Sequence, residues 1–212
     1  MDEFDLIENY FKPLASQGPP SFELLDDVSM WTPPEGHSIV LSKDVMVSGI
    51  HFFENENPEL VARKLLRVNL SDLAASGAIP KGYLLGFMVN ERINHDWLKG
   101  FVRGLKVEQD NFGLTLFGGD TVKTPNDLCL SLTIIGHQKN GERLGREKAI
   151  VGDDIFVTGT IGDASLGLKC IEGELPMDDT LVERLRCPEP RLKIGQALLR
   201  RGANAAVDVS DG

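Results

Sequence analysis

The spacing of apolar and polar positions changes along the chain, and each change predicts an element. Residues 37–47, "HSIVLSKDVMV", are rich in Val and Ile with Ser and Lys between, and read as extended. In "ENENPELVARKLLRVNLSDLAASGA" the period becomes helical. Leu66, Leu70, Leu73 and Gly77 fall on one face, which must pack on a sheet. Asn57 suits the cap of that helix, Pro58 its first position and Gly77 its end. "KGYLLGFMV" reads as a strand, and "NHDWLKGFVRGLKVEQDNFG" as a second helix with Leu98, Phe101, Val102 and Leu105 turned inward. "LTLF" and "DLCLSLTIIGH" follow as two more strands, and a short helix and a Pro/Gly break, "SQGPPSF", precede them all.

The order strand, helix, strand, helix, strand, strand predicts an α+β fold, with an N-terminal mixed or antiparallel sheet and helices on one face. Residues 1–137 form this domain. After the polar link "QKNGERLGREKAIVGD", residues 138–212 read as the truncated start of a second, incomplete α/β domain. "DIFVTGTIGDASLGLKCIEG" predicts a strand, a glycine turn and a helix, "CPEPRLKIGQALLRRGA" a helix, and "NAAVDVSDG" a strand with its turn. One or two strands are too few for a closed core, so the chain is expected to be truncated.

Composition narrows the classes. With 212 residues, 42% hydrophobic and 25% charged, the chain has enough apolar mass for one large or two small globular units. A net charge of −10 and the lack of a basic patch argue against a nucleic-acid partner. The acidic start "MDEFDLIENYF" and the absence of any long apolar run predict no membrane partner and a cytoplasmic location. Cys129, Cys170 and Cys187 are odd in number and lack metal-type spacing, and no two of the four histidines pair at zinc-binding intervals.

The candidate chemistry lies in recurring aspartates where strands end or helices face the core: Asp26–Asp27, Asp44, Asp72, Asp120, Asp208 and Asp211. Each taken singly is a turn former or a cap. Together they are carboxylates beside apolar residues with few nearby cations, a pattern that spread magnesium ligands would satisfy. Asn69 and Asp72 share one helical face. "LFGGDT" brings Gly118, Gly119 and Asp120 to the end of a strand, and "VTGTIG" offers free backbone N–H groups to an anion. P-loop, dinucleotide and protein-kinase signatures are missing. From the residues alone, His51 reads as a packed histidine at a strand end and Arg146 equally as a linker arginine.

The ordered set "DD", "SKDVMVSGIHF", "VNLSDLAASGA", "FGGDT", "VTGTIG" and "DVSDG" resembles the thiamine-monophosphate kinases, of the superfamily that includes aminoimidazole ribonucleotide synthetase. The resemblance covers essentially the whole chain. It implies ATP-dependent, magnesium-assisted transfer of a phosphoryl group to thiamine monophosphate, giving thiamine diphosphate, in a homodimer joined through its N-terminal sheets. On matching positions, it implies that Asp27, Ser42, Asp44, Asp72, Asp120, Asp208 and Asp211 hold magnesium. Gly119, Asp120, Arg146 and Ser210 are implied ATP contacts, and His51 a substrate contact. No residue is implied as a covalent or acid–base catalyst, because such transfer rests on alignment and charge neutralisation.

The chain departs from the family pattern at Leu25, where a glycine is common, and at Lys43, where a threonine is common. The family also continues for roughly a hundred residues, an ordinary domain's worth, past its Ser-Asp-Gly turn. The competing expectations are another ATP-dependent synthetase of the superfamily, or a dimerising nucleotide-binding fragment without turnover.

Overall fold

The computed structural model describes residues 6–210. Four strands form one sheet: β1 (His37–Val47), β2 (Ile79–Val89), β3 (Thr115–Lys123) and β4 (Cys129–Lys139), in the order β1-β4-β2-β3. β4 runs antiparallel to both of its neighbours, and β2 and β3 are parallel, so the sheet is mixed. The parallel pair is joined by a helix, as a crossover requires. Helices α1 (Pro58–Ser76) and α2 (His95–Phe112) cover one face.

The helix ends follow from local chemistry. The Asn57 side chain accepts from Glu59 N at 3.0 Å, and Pro58 fills the first position, where no backbone donor is needed. Gly77 stops the helix at φ 81°, in the left-handed region. Asn94 caps α2 by accepting from Trp97 N at 2.9 Å. Phe87 of β2 stacks with Phe101 of α2, ring centroids 5.5 Å apart, and Trp97 stacks on Phe101 at 5.1 Å. Leu65, Leu66, Leu70, Leu98, Leu105, Leu130, Leu132 and Ile134 are fully buried between sheet and helices.

One charged group sits inside this layer. Glu108 of α2 is fully buried and takes Arg63 Nε at 2.8 Å and Arg67 Nε at 3.0 Å, both from α1. Arg67 also reaches the carbonyl of Pro188 at 3.4 Å. The buried charge thus joins both helices to the C-terminal part of the chain.

That part contains α3 (Asp163–Ile171), α4 (Asp179–Arg186) and α5 (Leu192–Arg200). α4 was not evident in the sequence pattern, although Asp178 caps it by accepting from Thr180 N and Leu181 N. Two expected strands are not formed: the apolar stretch within 154–158 and the one within 204–210 are irregular, with Ile155, Phe156, Val207 and Val209 exposed. A strand needs a neighbour to receive its backbone bonds, and among the described residues neither segment has one. The leading helix is a π-helical turn, Ile7–Phe11, followed by a 3₁₀ turn, Lys12–Leu14. β3 runs on through Gly118, Gly119 and Asp120, past the boundary expected at Phe117, because its parallel pairing with β2 continues beyond a register shift.

Replacing Glu108 with alanine leaves two partly buried arginines without their carboxylate. The variant is expected to lose about 3 kcal/mol of stability in urea unfolding, the usual effect of breaking a buried pair; a loss below about 1 kcal/mol would contradict this role.

Candidate functional site

Alternation along β1 turns Ser42, Asp44 and Met46 toward the helices and Lys43 and Val45 away. α1 lies over that inner face. The Ser42 hydroxyl donates to Asp72 Oδ2 at 2.5 Å, joining strand to helix. Asp72 is half-buried, and burial holds its carboxyl pKa above the ordinary value. The Ser42 hydrogen bond opposes that rise, the Asp208 carboxylate adds to it, and the Arg146 guanidinium opposes it. Four residues expected at the site therefore share one neighbourhood, with Ser42 bonded to Asp72 and Asp208 and Arg146 within electrostatic reach of it. They come from a strand, a helix, the C-terminal segment and the 3₁₀ turn Arg146–Lys148. Asn204 Nδ2 donates to Asp153 Oδ1 at 2.8 Å, tying the segment that carries Asp208 to the one following Arg146.

Asp44 shares the inner face of the sheet. Its cross-strand row runs Asp44, Leu132, Leu85, Gly119, and Leu132 and Leu85 are buried beneath the helices. At Gly119 an added Cβ would stand 1.9 Å from Leu85 O, so only glycine permits this strand approach. Asp120 belongs to the next row, Val45, Ser131, Gly86, Asp120, and faces the opposite side of the sheet. The lysine standing where the family commonly has threonine also faces that side, and Lys43 Nζ donates to Ser131 Oγ.

Asp27 lies in an exposed bend. Leu25 has φ −93°, an ordinary right-handed conformation, so the missing glycine leaves no strain there. Ser210 is exposed, and Asp211 lies outside the described residues. Among the described residues, no group of three or more His, Cys, Asp or Glu side chains is close enough to hold a metal ion by itself. Asp72 and Asp208 with the Ser42 hydroxyl still suit magnesium, which is usually held by one or two carboxylates and keeps the rest of its shell as water and substrate phosphate.

His51 is exposed in a tight turn after β1. Its Nδ1 accepts the Val47 N–H at 3.0 Å, so the neutral ring carries its proton on Nε2 and presents a donor outward. Lys64 Nζ of α1 donates to the His51 carbonyl at 2.8 Å. Sequence reasoning missed Lys64 because its partner is a main-chain oxygen in a turn, which leaves no trace in side-chain spacing.

The family model for AIR synthase related protein, N-terminal domain, matches residues 25–138. The chain is 43% identical to the thiamine-monophosphate kinase of Caulobacter vibrioides over 211 residues, 99% of this chain and 60% of that protein. It is 33% identical to the thiamine-monophosphate kinase of Bacillus subtilis, covering 100% of this chain and 67% of the relative. The structure of AaThiL complexed with AMPPCP and TMP superimposes with a TM-score of 0.78 at 29% identity, over 85% of this chain and 59% of that one. The chain thus spans less than two thirds of the length of the first of these relatives. Among the described residues, no helix is long and apolar enough to cross a membrane.

The raised pKa of Asp72 gives a signed prediction. The folded chain holds this proton to higher pH than the unfolded chain does. The stability it contributes is therefore full below the ordinary carboxylate range and is lost as pH rises through the folded-state pKa. At neutral pH the charge is a burden that a cation relieves. Asp72→Asn is expected to raise the thermal midpoint by about 2 °C without magnesium and to abolish any rise on adding magnesium. Scanning calorimetry showing the same magnesium response in both proteins would contradict the ligand role.

Proposed function

The chain belongs to the AIR synthase related family, in its thiamine-monophosphate kinase branch, and from that premise we propose that it takes part in ATP-dependent phosphorylation of thiamine monophosphate to thiamine diphosphate. The observation that carries this reading is the surroundings of Asp72, whose carboxylate accepts from Ser42 and feels both Asp208 and Arg146. A structural neighbour complexed with AMPPCP and TMP supports it.

In this reading the acceptor phosphate is itself the nucleophile. It is largely ionised at neutral pH, so the protein needs no strong general base, only alignment and relief of repulsion between two anions. Magnesium, when bound, supplies that positive charge. Asp72, Asp208 and Ser42 would hold one ion, and Asp27, Asp44, Asp120 and Asp211 would serve further ions of the same family site. Arg146 adds a fixed cation toward the ATP phosphates, Gly119 and Ser210 are further nucleotide contacts, and the outward Nε2–H of His51 faces the substrate.

The same reading includes a homodimer. The sheet face away from the helices carries Ile39, Leu41, Val45 and Val122, all exposed, with Leu41 at 62%. An apolar sheet face of this kind is satisfied by a second copy packing against it. Asp120 shares that face, so pairing would bring it beside the partner.

Two measurements test the proposal. ADP release with magnesium and ATP is expected only when thiamine monophosphate is added, not thiamine; release independent of the acceptor would refute the reaction. Light scattering is expected to give a dimer at micromolar concentration and a monomer for Leu41→Asp. A monomeric parent chain, or a variant that remains dimeric, would remove this face as the interface.

A further inference from the structure

Lys64 is the one cation of its neighbourhood without a carboxylate partner among the described residues. Around it, Arg63 and Arg67 are paired with the buried Glu108, and Arg186 Nε meets Glu56 Oε2 at 2.8 Å. Lys64 makes a single described hydrogen bond, to the carbonyl of His51. An ammonium group has three donors, so two remain. The group is also half-buried: desolvation holds its pKa below the ordinary lysine value, and the nearby Glu56 carboxylate and Cys187 only partly oppose this. A desolvated charge that its nearest carboxylate only partly compensates is costly in a folded protein, and an arriving anion lowers the cost.

The turn that Lys64 grips is already tightly fixed. Gly49 N donates to Phe52 O at 2.8 Å and His51 N to Val47 O at 2.9 Å, while the His51 ring accepts from Val47 N. The ring therefore presents Nε2–H, and the ammonium sits at the carbonyl of the same residue. An imidazole N–H on the turn and an ammonium bonded to the same residue suit a tetrahedral oxyanion.

We propose that Lys64 and the His51 turn form the recognition site for the phosphomonoester of the substrate, with Lys64 supplying its positive charge and fixing the orientation of His51. The proposal rests on the substrate reading given above. It adds a cation to a site otherwise described by a histidine.

The test compares Lys64→Met, which keeps the apolar stem, with Lys64→Arg, which keeps the charge. Calorimetric affinities are measured for thiamine monophosphate and for thiamine, which lacks the anion. Lys64→Met is expected to weaken thiamine monophosphate by about tenfold and leave thiamine unchanged, with Lys64→Arg recovering most of the loss. Equal affinity in parent and Lys64→Met, or an equal loss for both ligands, would overturn the proposal, since a merely structural lysine affects both alike. If the parent chain does not bind thiamine monophosphate, the substrate reading fails separately. The anion site is then tested with inorganic phosphate by ¹⁵N NMR of the His51 ring. A phosphate-dependent shift in the parent that is absent in Lys64→Met supports the site, and no shift in the parent refutes it.

Discussion

The Ser42–Asp72 hydrogen bond couples the fold to its chemistry. α1 must lie on the sheet because its apolar stripe has no other place to go, and its last turns then bring Asp72 over β1. A carboxylate in that position is poorly solvated. It is tolerated through one hydroxyl and a guanidinium while a second carboxylate pushes against it. The fold therefore holds a negative site under electrostatic tension that a divalent cation would relieve. The same helix carries Arg63 and Arg67 to the buried Glu108 and Lys64 to the His51 carbonyl, so one element organises the core, the Asp72 site and the His51 turn.

Much of this was legible in the sequence where local chemistry decides. The bounds of β1 and α1 followed from a Val/Ile-rich run and from Asn57, Pro58 and Gly77, and the structure has them at those residues. The limits of legibility are equally physical. The stretches around Ile155 and Val207 have strand composition, but a strand exists only through its partners, and composition says nothing of partners. β3 outran its expected end because the glycines after Phe117 read as a turn, whereas Gly119 serves close approach to Leu85.

The site was legible as a set of residue types and less so as an arrangement. The recurrence of aspartates where strands end or helices face the core pointed to Asp72 and Asp208, and Asp208 does act electrostatically on Asp72. That Asp44 and Asp120 face opposite sides of the sheet depends on the register of β1, β4, β2 and β3, which no single segment encodes. Lys64 was invisible for a related reason: its role is set by a backbone carbonyl and by desolvation.

The central claim is that the acidic cluster around Asp72 is a magnesium–nucleotide site. Its most direct test is calorimetric titration of the chain with AMPPCP, with and without magnesium. The account predicts binding that depends on magnesium. Equal binding in its absence, or none in its presence, would contradict it.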